Sequence, residues 1–205
     1  HDDDSVDQLD LDIVLKEFKP LLEGSSNKII GQNIKFDKNV LAKYGVDIAS
    51  IKNDTMMMSY VLDASATRHN LDALSSYYLN YKTSTFEDVA GKGVKQITFD
   101  KVPIEAATNY AAEDADITLR LYEELNPRLE GEDSLNKLND EIEIPLIEVL
   151  SEMEQNGAIL NSKILNSQSK DLESRIKKLE ENAYQLAGEE FNLGSTKQLR
   201  EIFFE

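Results

Sequence analysis

Apolar residues recur at steps of three and four along most of this chain, a pattern that predicts mainly helices. Leu11, Val14, Leu15, Phe18, Leu21 and Leu22 mark a first amphipathic helix, and the polar stretch EGSSN at 23–27 ends it as a loop. KIIG at 28–31 breaks the period and reads as a short buried strand. Phe36, Val40, Leu41 and Tyr44 return to helical spacing, and VDIAS at 46–50 reads as a second strand. Asp54 is placed to cap TMMMSYVL, and Asn70 to cap LDALSSYYL. After the loop GKGVKQ, Pro103 suits the first turn of a long helix that Pro127 is expected to end.

Beyond that point the pattern is helical throughout. Ile142, Ile144, Leu146, Val149, Leu150 and Met153 form one run, with Pro145 as a first-turn residue or a kink. Leu165, Leu172, Ile176, Leu179, Ala183 and Leu186 form another after GAILN. Alternating strands and helices predict an α/β layer over 1–130, and an all-α segment over 131–205, with the composition shifting at LEGEDS. No internal repeat is visible.

One residue disturbs the long helix. Ile104, Ala107, Tyr110, Ala111, Ile117 and Leu121 share a face that should be buried, and Asp114 falls on it. A buried, unpaired carboxylate costs several kcal/mol or takes up a proton, so a partner or a metal is expected there. A second unusual stretch is KIIGQNIKFDKNVL, where Asn33 and Asp37 lie four apart at the start of a helix. In open α/β sheets, sites lie beyond the C-terminal ends of strands, where these side chains would fall. A structural role fits them too: Asn33 as a cap, and Asp37 at the helix's positive end.

Together the two motifs supply Asp37 and Asp114, each with a polar residue four positions before it. Two carboxylates brought together repel unless a cation lies between them, and hard oxygen ligands suit Mg2+ or Mn2+. The chemistry that uses such a pair is phosphoryl transfer to water, with Tyr110 placed to orient the water.

Charge and composition narrow the partners. The chain of 205 residues has no cysteine, which excludes disulfides, thiolate zinc sites and cysteine nucleophiles. No apolar run approaches the roughly 20 residues of a membrane span, so no membrane partner is expected. A formal charge of −17 argues against a general nucleic-acid coat. Residues 1–30 carry eight acids, Asp2, Asp3, Asp4 and Asp7 among them, against three lysines; residues 66–102 carry five basic and four acidic side chains. The middle is therefore the better place for an anionic ligand, although such balances also suit ordinary solvated surface.

GQNIKFD resembles the second, and YAAED the third, exonuclease motif of the 3′→5′ proofreading domain of A-family bacterial DNA polymerases. The likeness extends through NDTMMMSYVL, TRHNLDALS, TFEDVAGKG and QITF. It continues into EIEIPLIEVLSEMEQNGAILN and GEEFNLGSTKQLREIFFE, which resemble the start of the polymerase region leading into the thumb. The resemblance implies an RNase H-like α/β exonuclease layer followed by helices, working with two metal ions on the single-stranded 3′ end of DNA, and with primer-template DNA in the whole polymerase. It implies roles residue by residue. Asp37 would hold the second metal largely through water, and Asp114 would ligate the first directly. Tyr110 would orient the attacking water. Gln32 and Asn33 would contact the terminal nucleotides, Phe86 would pack on a frayed base, and Arg68 would touch the strand. Phe86 as core and Arg68 as a surface charge are the plain alternatives.

The family's first motif, Asp-x-Glu on an opening strand, has no counterpart here. DLD at Asp10 and Asp12 imitates it but sits among residues with helical spacing, so it reads as a helix start. The expectation is an internal piece of a longer cytoplasmic, nucleoid-associated polymerase: an exonuclease layer lacking its first strands, non-polymerising and a poor nuclease by itself. An unpaired sheet edge would favour self-association. The competing class is a non-catalytic nucleic-acid-binding or structural module whose acids serve as caps and surface charge.

Overall fold

The computed structural model describes residues 8–204, so the run Asp2, Asp3, Asp4 and Asp7 lies outside the described residues. Helix α1 (Leu11–Glu23) begins where Asp10 accepts hydrogen bonds from the backbone N–H groups of Asp12 and Ile13, as a helix start should. Strand β1 (Ile29–Gly31), helix α2 (Ile34–Ala42) and strand β2 (Ile51–Asp54) follow, and the two strands pair in parallel with α2 between them. Ile29 faces Ile51 and Gly31 faces Asp54, with an irregularity after Ile29. Among the described residues this pair is the whole sheet.

VDIAS is not a strand. Val46 and Ile48 are buried as a strand's inward residues would be, but no strand among the described residues pairs with them. Their stretch instead bonds to the ends of helices: Val46 N to Leu41 O, Asp47 N to the Glu23 carboxylate and Ala49 N to Leu22 O. Helix α3 (Thr55–Leu62) follows β2 directly. Helix α4 (Leu71–Leu74), capped by Asn70, widens into a π-helical turn over 75–79, and α5 (Phe86–Ala90) carries a full capping box between Thr85 and Asp88.

Helix α6 (Ile104–Glu130) runs through Pro127 instead of ending there. Leu125 and Leu129 on either side are fully buried, and their packing outweighs one lost helical bond. Helix α7 (Asp133–Leu138), a second π-helical turn and α8 (Ile144–Asn156) complete the first part, with Pro145 in the first turn of α8.

The chain divides into two compact units, His1–Gly157 and Ala158–Glu205. By packing, α7 and α8 belong to the first, although the composition shift lies near residue 130. Ile147 shares a core with Ile34 and Ile48, and Leu135 packs on Met58, Leu125 and Leu129. The second unit holds α9 (Ser162–Ala187) and α10 (Thr196–Phe204). Half-buried Ala183, Phe191, Leu199 and Ile202 line a small apolar hollow in it, with Tyr184 edge-on to Phe191.

Candidate active site

The junction of β1 and α2 is built around two residues that allow no easy replacement. A Cβ on Gly31 would lie 2.7 Å from Cβ of Ile34, so only glycine lets the strand end meet the helix start this closely. Asn33 adopts a left-handed backbone conformation (φ 58, ψ 44) and its side chain makes no cap bond. The cap comes from elsewhere. Asp54, 1% exposed at the end of β2, accepts from Asn33 N at 3.0 Å and Ile34 N at 2.8 Å, while also capping α3 through Met56 N at 2.9 Å. One carboxylate thus fixes the first turns of two helices. Burial pushes the Asp54 carboxyl up, and the backbone N–H groups around it pull the other way without cancelling that push.

Gln32 is held on both sides. Its Nε2 donates to His69 O at 2.9 Å, and its Oε1 accepts from the Thr55 hydroxyl. Asp37 stands in the first turn of α2, where desolvation, and then the negative charge of Asp54, raise its pKa. Next to it Lys38 is 2% exposed, an outcome that charge patterning did not predict. Its ammonium pairs with Asp47 and, at 2.9 Å, with Glu148 of α8.

Across from this junction lies α6. Tyr110 and Asp114 are one helical turn apart and hydrogen-bond to one another. Burial, helped by the Asp114 charge and this bond, pushes the Tyr110 hydroxyl up to about 12, so it stays protonated at neutral pH. Desolvation raises Asp114 as well; the Tyr110 bond opposes this, while the charges of Asp72 and Glu113 add to it. Tyr110 also packs against Phe86 and Phe99.

A cleft of about 520 Å3 separates the two sides, lined by Ile30, Gly31, Gln32, Asp37, Leu71, Asp114, Ala115, Thr118 and Leu119. Gln32, Asp37 and Asp114 therefore share one cavity, and Tyr110 adjoins it through Asp114. The expected burial of the α6 face holds only for its C-terminal half: Ile117 and Leu121 are buried, while Ile104 and Ala111 are exposed. Asn33 borders a different, smaller groove with Lys35, Met56 and Leu150. Arg68 is exposed in the loop before α4 and is not among the cleft's lining residues. Among the described residues, no group of three or more His, Asp or Glu side chains is arranged to hold a metal ion. Asp37 and Asp114 do offer hard oxygen donors to a cleft lined by no basic side chain, which fits Mg2+ or Mn2+ in kind though not in ligand number.

A family model described as 3′-5′ exonuclease, of the A-type DNA polymerases, matches residues 2–130, and the chain belongs to that family. The DNA polymerase I of Pseudomonas aeruginosa is 50% identical over 201 residues, which take in 97% of this chain and 22% of that protein. That of Rhizobium leguminosarum is 43% identical over 197 residues, or 96% of this chain and 19% of the relative. The chain thus spans about a fifth of the length of these curated relatives. A solved structure, described as the POL domain of Pol1 from M. smegmatis in complex with DNA primer-template and dNTP, shares the fold. Its TM-score is 0.68 at 23% identity, covering 99% of this chain and 31% of that one. No helix among the described residues is long and apolar enough to cross a membrane.

Proposed function

We propose that this chain is the editing segment of a bacterial DNA polymerase I. Residues 1–130 form the RNase H-like 3′→5′ exonuclease layer without its opening strands, and 131–205 the helical lead into the polymerase domain and thumb. The whole protein would carry out template-directed DNA synthesis in replication and repair, in the cytoplasm at the nucleoid, and would remove mispaired primer termini by hydrolysis. One observation carries the reading. Asp37 and Asp114, from motifs 77 positions apart in sequence, line the same cleft.

When bound, Mg2+ or Mn2+ supplies charge stabilisation of the attacking and leaving oxygens. Asp114 would hold the first ion directly, and Asp37 the second largely through water. Tyr110, which keeps its proton at neutral pH, positions the incoming water through its hydroxyl and does not act as a base. Gln32 would meet the terminal nucleotides only by giving up a bond to His69 or Thr55, and Asn33 only by turning from the neighbouring groove that it borders. Phe86 would stack on the last base, and Arg68 would contact the strand's phosphates.

The family's opening strand and its Asp-x-Glu pair are proposed to complete the edge of β1 that β2 does not cover, because the Asp10 carboxylate is occupied in capping α1 and Asp12 stands in that helix's first turn. Until that edge is filled, self-association through it is expected, and sedimentation showing only monomer would count against this. The decisive assay is degradation of a 5′-labelled single strand in Mg2+ or Mn2+. The chain should be nearly inactive, and a longer chain with the upstream strand should be active and lose activity in Asp37→Ala and Asp114→Ala. Full activity of both variants would remove the editing assignment. It would favour the second reading, a non-catalytic nucleic-acid-binding or structural module, whose supporting observation is that no three-acid group assembles among the described residues.

A further inference from the structure

Residues 63–70 connect α3 to α4 and carry Arg68, one of the side chains expected to meet the strand. Surface connections of this kind are ordinarily mobile, but this one is tied at both ends. Asp63 accepts from Ser65 N at 2.9 Å and from Ser65 Oγ at 2.8 Å, which closes the first turn. Near the other end stands His69, one of two histidines in the chain, to which the proposed hydrolysis gives no task.

The His69 ring reaches back to α3. Its Nδ1 lies 2.9 Å from Ser59 Oγ and its Nε2 lies 3.2 Å from Ala64 O, while the ring stands edge-on to Tyr60 with centroids 5.4 Å apart. A carbonyl oxygen can only accept, so Nε2 carries a proton and donates to Ala64 O. Nδ1 then meets the hydroxyl of Ser59, which is fully buried. The main chain of the same residue serves a different neighbour: His69 O accepts from Gln32 Nε2 at 2.9 Å. His69 thus joins α3 through its ring, its own loop through Ala64, and the junction of β1 and α2 through its carbonyl.

That arrangement bears on two strand contacts at once. Gln32 lines the cleft, and the His69 carbonyl holds its amide there. Arg68 is the residue before His69, so the ring also fixes the backbone from which the guanidinium projects. A side chain carried on fixed backbone loses less freedom when it closes on its ligand. We propose that His69 is a positioning residue for the strand end: it touches no nucleotide, and it holds Gln32 and Arg68 in place for theirs. This rests on the exonuclease reading above.

The test follows degradation of a 5′-labelled single strand in Mg2+ by the longer chain that includes the upstream strand. His69→Leu removes both ring bonds, while Ser59 keeps an acceptor in Met56 O at 2.8 Å and the exposed Ala64 turns its carbonyl to water, so the fold should survive. It should raise KM on the order of fivefold, the worth of about one hydrogen bond, and lower kcat far less. It should also flatten the rise of KM with salt, as Arg68→Ala should, by up to about 0.7 in the log–log slope, the share of one phosphate contact on a single strand. His69→Asn, whose amide can meet Ser59 as Nδ1 does, should recover most of the loss. Ser59→Ala removes the same bond from the α3 side, should act in the same direction, and keeps the test decisive if His69→Leu unfolds. With Gln32→Ala and Arg68→Ala already present, His69→Leu should add little. An equal rise in KM in that background, or a lowered thermal midpoint with KM unchanged, would make His69 structural only and overturn the proposal while the exonuclease reading stands. Loss of cleavage in Asp114→Ala together with an unchanged KM in Gln32→Ala and Arg68→Ala would do the same. Full cleavage by Asp114→Ala would remove the exonuclease reading and the proposal with it.

Discussion

Asp54 does more for the site than its sequence position suggests. The stretch NDTM marks it as the cap of α3, and it is; that it also caps α2 depends on a contact across 20 residues that no local pattern reveals. Asp54→Ala leaves three backbone N–H groups without their acceptor at two helix starts, and should cost about 2–4 kcal/mol in urea unfolding. Asp37 and Asp114 act in the opposite sense. Both carboxyls titrate above the usual 3.8 in the folded chain, so their contribution to stability is full below that pH and is lost as pH rises through the folded value. At pH 7 without divalent ions, Asp37→Asn and Asp114→Asn should each raise the thermal midpoint. Adding Mn2+ should raise the midpoint of the parent more than that of either variant. A midpoint lowered by both substitutions would contradict this account.

At the scale of elements, polar contacts join α8 to α2 around the apolar seam of Ile34, Leu41, Ile144 and Ile147. Lys38 reaches Glu148, Lys35 reaches Glu154, and Asn39 accepts from Ser151 Oγ at 2.6 Å. Lys38→Met keeps the buried stem but removes two charged hydrogen bonds, so a loss of about 1–3 kcal/mol is expected. Hydrogen exchange should quicken in α2 and in residues 144–156 ahead of the rest, and unchanged exchange there would show that apolar packing alone docks α8. The helices were legible because their period is local: α1, α2, α3 and α6 stand where Leu11, Leu41, Met58 and Ile117 put them. VDIAS and Pro127 depart from their local pattern because their outcome depends on neighbours. Val46 and Ile48 meet no partner strand among the described residues, and Pro127 sits between two buried leucines.

For the whole molecule, the division after Gly157 makes a direct prediction. Gly157 has φ 64, and Ile159 and Leu160 are 102% and 73% exposed in the connection to α9. Limited chymotrypsin treatment should cut first after Leu160, and mass spectrometry should find the piece ending there to be the persistent product. A first cut within α8 would show that packing on Ile34 and Ile48 does not protect it.

The sequence by itself determined the helices, the caps at Asp10, Asp54 and Asn70, and the two acids Asp37 and Asp114 as candidates for one site, because spacing and side-chain chemistry act within a few residues. Only the tertiary structure decided which of the expected residues meet. It put Gln32, Asp37 and Asp114 on one cleft, left Asn33 on another wall and Arg68 in solvent, buried Lys38, and set Phe99 beside Tyr110. The reason is physical: burial and charge pairing are settled by elements far apart in the chain, and each of these side chains faces whatever those elements bring to it.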